Sequence, residues 1–166
     1  VTCRSSLRKI TLPDRSDKSR IADYRTYSGD HYQLTEQPIG VVYTEATLKA
    51  LADILTKKGE EYGHPIYIIA DEPYRELVYG DVKVPFIPTI YKNTIVCYSW
   101  SKSLSLPGER IGYVCVPDSC ENAEEVYKGV AGAARANGHV CAPTLMQLVI
   151  ERCVGEMPDL KAYDEN

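Results

Sequence analysis

A chain of 166 residues is long enough to bury a hydrophobic core and short enough to be a single domain. Its 19 basic and 23 acidic residues leave a net charge of −4, which gives no electrostatic reason to expect nucleic acid as a partner. No stretch approaches the roughly 18 consecutive apolar residues of a membrane-spanning helix, and Val1 to Arg20 lacks the apolar centre of a signal peptide, so no membrane partner and a cytoplasmic location are expected.

Residues 1–39 show neither helical nor strand periodicity and read as an atypical N-terminal segment, out of frame or disordered; regular patterning begins near Gly40. Thr44 is placed to cap a helix running to about Tyr62, with Leu48, Leu51, Ile54 and Leu55 on one apolar face and Gly63 at its end. Pro65 to Ala70 is a nearly continuous apolar run that ends at Asp71, the pattern of a strand covered on both faces. Thr94 to Tyr98, ending at Ser99, and Arg110 to Val116, stopped by Pro117, read as two more strands. Helices are expected from about Glu121 to Ala136 and from Pro143 to Cys153, the latter with a stripe of Leu145, Leu148, Val149 and Arg152 that suits core packing. Helices interleaved with apolar strands predict an α/β fold, with a mostly parallel sheet flanked by helices.

Six cysteines contain no C-x-x-C pair and three histidines are widely separated, so reduced thiols and no metal site are expected. Chemistry concentrates instead where strands end. Asp71-Glu72-Pro73-Tyr74 follows one strand, Ser99-Trp100-Ser101-Lys102 follows the next, and Gly108-Glu109-Arg110-Ile111-Gly112 leads into the third. Ligands of open α/β sheets bind at such strand ends. Taken singly, each has an ordinary reading as a turn former, a chance tetrapeptide or a solvated ion-pair partner.

Together they supply what one cofactor requires. Pyridoxal phosphate needs an amine to hold its aldehyde, which Lys102 offers. It needs an anion beside its ring nitrogen to keep that nitrogen protonated, which Asp71 offers. Its phosphate needs hydroxyls and a guanidinium, met by Ser99 and Arg110, and Tyr74 can hydrogen-bond a ring oxygen.

Asp-x-x-Tyr after a strand, Ser-x-Ser-Lys after the next and an arginine eight residues past the lysine resemble the class I/II aminotransferases, pyridoxal-phosphate enzymes of fold type I. The likeness runs from about Gly40 to Gly155 and includes Glu72-Pro73-Tyr74-Arg75-Glu76-Leu77 and Leu106-Pro107-Gly108-Glu109-Arg110. It implies that residues 40–166 are part of a cofactor-binding large domain. It further implies that Lys102 is the catalytic Schiff-base lysine and proton shuttle, that Asp71 pairs with the pyridinium nitrogen and Tyr74 with the 3′ oxygen, and that Ser99 and Arg110 bind the phosphate, with Ser101 a weaker candidate. The implied activity is transfer of an amino group between an α-amino acid and a 2-oxo acid, by a homodimer in the full-length family. A β-lyase of the same fold, or a cofactor-binding module without catalysis, uses the same residues.

The chain departs from that pattern in two respects. It contains no assignable glycine-rich phosphate turn, ring-stacking aromatic or substrate-gripping arginine, so the fragment alone is expected to be weakly active or inactive. At Glu36-Gln37-Pro38-Ile39-Gly40 the family carries an asparagine-proline turn, whereas here Gln37 precedes the proline with one methylene more. Codons permitted for residues 33–40 spell such a turn when read one base later, which motivates the out-of-frame reading of residues 1–39.

Overall fold

The computed structural model describes residues 31–33, 35–36, 41–78 and 81–154. Gln37 and Gly40, where the proline turn departs from the family pattern, and all of residues 1–30 lie outside the described residues. In chain order the elements are β1 (His31–Gln33), β2 (Thr35–Glu36), β3 (Val41–Val42), α1 (Glu45–Tyr62), β4 (Ile68–Asp71), β5 (Thr94–Ser99), α2 (Trp100–Ser103), β6 (Gly112–Cys115), α3 (Ala123–Ala136) and α4 (Thr144–Cys153). Single 3-10 turns occupy Ile87–Thr89 and Pro107–Glu109.

Four strands form one sheet in the order β1-β4-β5-β6, the first two pairings parallel and the last antiparallel. β2 and β3 form a separate antiparallel pair. The architecture is the α/β one expected, and the sheet is mostly parallel. Two strands, β1 and β2, fall within the segment that had no readable periodicity, because two or three residues are too few to display a period of two.

α1 begins and ends where its sequence dictates. The Thr44 side chain accepts from the Thr47 N–H at 3.2 Å, and Gly63 takes a left-handed φ of 73° with its N–H returned to the Gly59 carbonyl. Leu48 and Ala52 are buried, with Leu51 and Leu55 packed beside them. Ile54, expected on the same face, is 58% exposed. Six residues past Leu48 is about one and two-thirds turns at roughly 3.6 residues per turn, which carries Ile54 round towards solvent.

The core lies between α1 and one face of the sheet: Leu48, Ala52, Ile68, Ala70, Ile87, Tyr91 and Val96 form one buried cluster. The opposite face is more open, since Ile69 is 36% and Val114 44% exposed. The expected burial of β4 on both faces is therefore met on one face among the described residues. β4 is also shorter than its apolar run, because Pro65 has no N–H and the Ile66 carbonyl is taken by the Tyr91 hydroxyl at 2.6 Å. α3 starts two residues late, after Asn122 in a left-handed conformation, because the Glu121 N–H is held by Asn93 Oδ1 at 2.9 Å. On α4, Leu145 and Leu148 are 72% and 54% exposed, so the apolar stripe expected to pack into a core faces outward, and Ile150 is the buried residue of that helix.

Candidate active site

β4 and β5 run parallel in register, with Asp71 opposite Cys97, so Asp71 closes β4 while β5 continues two residues further to Ser99. Strand spacing puts Ser99 about 5 Å sideways and about 7 Å further along from Asp71. Side chains alternate across a sheet, so Asp71, Cys97 and Ser99 share one face, the one turned away from α1. β6 pairs with β5 so that Gly112 lies opposite Ser99 and Val114 opposite Cys97, on that same face. The result is an open cleft of about 380 Å³ lined by Asp71, Cys97, Tyr98, Ser99, Gly112, Tyr113 and Val114.

Gly112 makes this cleft possible. A Cβ on it would stand 2.3 Å from the Tyr98 carbonyl oxygen, so no other residue allows β6 to approach the end of β5 this closely. Beside it, the Ile111 carbonyl accepts from the Trp100 N–H at 3.3 Å and from the Ser99 hydroxyl at 3.4 Å, tying the turn that carries Arg110 to the start of α2.

Ser99 caps that short helix. Its Oγ accepts from the Ser101 N–H at 3.1 Å and lies 2.6 Å from Ser101 Oγ. Lys102 follows three residues later, solvent-exposed, with its Nζ 5.3 Å from the centre of the Tyr74 ring. A cation at this distance from an aromatic face is attracted to it. Arg110 adopts a left-handed backbone, φ 52° and ψ 45°, at the end of the Pro107–Glu109 turn, and its guanidinium donates to the Pro107 carbonyl at 2.9 Å. A non-glycine residue there costs roughly 1–2 kcal/mol of backbone strain. Thus Asp71 and Ser99 share the cleft, Tyr74 and Lys102 meet each other, and Arg110 joins Ser99 through its neighbour Ile111.

Four contributing residues were given no role of their own in the sequence reading, although Glu72 and Gly112 stand inside the motifs it quotes. Cys97 lines the cleft, and burial, then the nearby Asp71 carboxylate, push its thiol above the usual range. Glu72 is buried, and its Oε2 accepts from Arg75 Nη1 at 2.9 Å; the same guanidinium donates to the Val84 and Pro85 carbonyls. The Glu-x-x-Arg spacing was the available signal. Tyr98 Oη donates to Glu76 Oε2 at 3.0 Å and lies 2.8 Å from the buried Ser103 Oγ. Gly112 closed the Gly108-Glu109-Arg110-Ile111-Gly112 motif inside a strand expected from Arg110, and the structure makes it the first residue of β6.

The described residues contain no group of three or more histidine, cysteine or carboxylate side chains able to hold a metal, and no helix of them is long and apolar enough to cross a membrane. Among the described residues, Cys97, Cys120, Cys141 and Cys153 are free cysteines.

Residues 35–162 match the model of the family described as aminotransferase class I and II. The chain belongs to that family, whose members depend on pyridoxal phosphate. An amino transferase from Eubacterium rectale superposes with a TM-score of 0.77 at 57% identity, covering 81% of this chain and 34% of that one. A pyridoxal-phosphate-dependent aminotransferase from Streptococcus suis does so with a TM-score of 0.56 at 28% identity, over 74% of this chain and 29% of that one. A probable aspartate/prephenate aminotransferase of Aquifex aeolicus is 39% identical over 85 residues, 49% of this chain and 20% of its own length. The fold is therefore that of fold type I aminotransferases, and the chain spans about a fifth to a third of the length of these relatives.

Proposed function

We propose that this chain supplies the cofactor-holding core of an enzyme that moves an amino group between an α-amino acid and a 2-oxo acid, with pyridoxal phosphate as cofactor. The observation that carries the reading is the placement of a carboxylate and a hydroxyl at the ends of two adjacent parallel strands, with an amine on the helix that follows: Asp71 and Ser99 line one cleft, and Lys102 comes three residues after Ser99 with its amine over the Tyr74 ring. The donor set fits the cofactor. The family match and the aminotransferase names of the relatives support transamination over elimination on the same fold.

When bound, pyridoxal phosphate supplies an electron sink for the carbanion formed at the amino acid's Cα. The chain's own residues do the rest. Lys102 would hold the cofactor through its amine, and that amine would serve as the base for the proton at Cα. Asp71 sets an anion against the ring nitrogen and so keeps a proton on it. Tyr74 offers its hydroxyl to the ring's 3′ oxygen. Ser99 and Arg110 would hold the phosphate, a group to which a planar guanidinium is suited. In this reading the active form is a homodimer working in the cytoplasm, an assignment resting on the resemblance.

The test is optical. The intact protein mixed with pyridoxal phosphate should develop the visible band of a protonated lysine adduct, and Lys102→Ala should abolish it while leaving the circular dichroism spectrum intact. The band should bleach when an α-amino acid is added, and the corresponding 2-oxo acid should appear. A band that persists with every amino acid tested points to a binding module, and a wild-type protein that never develops it overturns the proposal.

A further inference from the structure

Tyr98 lies one residue before Ser99, yet alternation turns its side chain to the opposite face of β5. There its hydroxyl joins two segments that carry site residues. Ser103, fully buried on α2 and adjacent to Lys102, places its Oγ 2.8 Å away, and Glu76, two residues past Tyr74, places Oε2 3.0 Å away. A phenol has one proton. With that proton donated to the Glu76 carboxylate, Ser103 must be the donor to Tyr98, which fixes a directional chain Ser103–Tyr98–Glu76. The ring is fixed from the side as well: it stacks on Tyr113 at 5.3 Å between centroids and meets Trp100 edge-on at 5.6 Å.

We propose that Tyr98 is a positioning residue, whose hydroxyl locks the helix bearing Lys102 to the turn bearing Tyr74 and so sets how the lysine amine meets that ring. The inference rests on the proposed function. Three elements meet at one oxygen. β5 contributes the tyrosine, α2 is held through Ser103, and the 72–77 turn, itself closed by Arg75 N–H to the Glu72 carbonyl at 3.3 Å and Leu77 N–H to the Tyr74 carbonyl at 2.9 Å, is held through Glu76. Among the described residues no other hydrogen bond links α2 to that turn. Burial first pushes the Tyr98 hydroxyl up to about 12, so the phenol keeps its proton, and the chain stays intact, across the working pH range of an enzyme.

The experiment uses the cofactor-loaded intact protein and reads the pH midpoint of its visible band together with the cofactor dissociation constant. Tyr98→Phe removes one oxygen and should weaken cofactor binding about ten-fold while displacing the midpoint, with the circular dichroism spectrum retained. Ser103→Ala and Glu76→Leu, each cutting one arm, should shift both readouts in the same direction by less, and Glu76→Gln, which keeps an acceptor, should stay near wild type. Ser103→Ala should add little in a Tyr98→Phe background, because both act through one hydrogen-bonded chain. An unchanged midpoint and affinity in Tyr98→Phe overturn the inference alone, as do three cutting variants that all lose their folded spectrum, which would make the network merely structural. A wild-type protein with no visible band overturns the proposed function as well.

Discussion

Glu72 follows Asp71 in sequence, yet its carboxylate turns into the protein, with Oε2 on Arg75 and Oε1 buried with no hydrogen-bond partner among the described residues. Burial pushes its carboxyl above the usual range, and the attraction of Arg75 offsets this only in part. A carboxyl raised in the folded state holds its proton more tightly there than in the unfolded chain. Its contribution to stability is therefore greatest on the acid side and declines as pH rises from the ordinary glutamate value through the raised one. Glu72→Gln keeps an acceptor for Arg75 but cannot titrate. Urea unfolding of both proteins from about pH 4 to about pH 7 should show wild type losing stability relative to the variant across that window. Parallel curves would mean that the carboxylate is accommodated without cost. A sequence could not have revealed this, because Glu72 and Glu76 are alike as letters and differ in which way the 72–77 turn faces them.

At the scale of elements, β6 depends on one missing side chain. Gly112→Ala would drive a methyl into the Tyr98 carbonyl, a backbone atom that cannot swing aside, so β6 must move away from β5. Overpacking of this kind costs about 1–3 kcal/mol, and a lowered thermal midpoint with weaker cofactor binding is the expected result. A fully stable Gly112→Ala would show that β6 can slide without consequence. α1 was legible from its sequence because its start, stop and buried face are all local: Thr44, Gly63 and the Leu48 spacing lie within one helix. The strand ends Asp71 and Ser99 were legible for the same reason, each being a polar residue closing an apolar run. What pairs with what was not legible. The antiparallel sense of β6, the parallel partner found in β1 and the cleft between Ser99 and Gly112 all follow from contacts between segments distant in sequence.

At the scale of the whole molecule, the sheet has two different faces. One is closed by α1 over the continuous cluster from Leu48 to Val96, and the other holds the open cleft beside exposed Ile69 and Val114. α4 repeats the contrast on a smaller scale, because Leu145, Leu148 and Val149 stand three and four residues apart on a single helical side and are all exposed. The stripe was readable as apolar, but periodicity reports only that a face is apolar and not what it meets. A contiguous apolar face left in water drives association, so the chain purified by itself should self-associate as its concentration rises. Leu145→Glu combined with Leu148→Lys places charges of opposite sign three residues apart on that face without changing the net charge. Sedimentation velocity should then show the variant sedimenting as a monomer at concentrations where wild type does not. Because these positions are exposed, the substitutions should leave the thermal midpoint nearly unchanged, which separates loss of association from loss of folding. Identical sedimentation of the two proteins would rule α4 out as the sticky face and leave the open side of the sheet, around Ile69 and Val114, as the surface to substitute next.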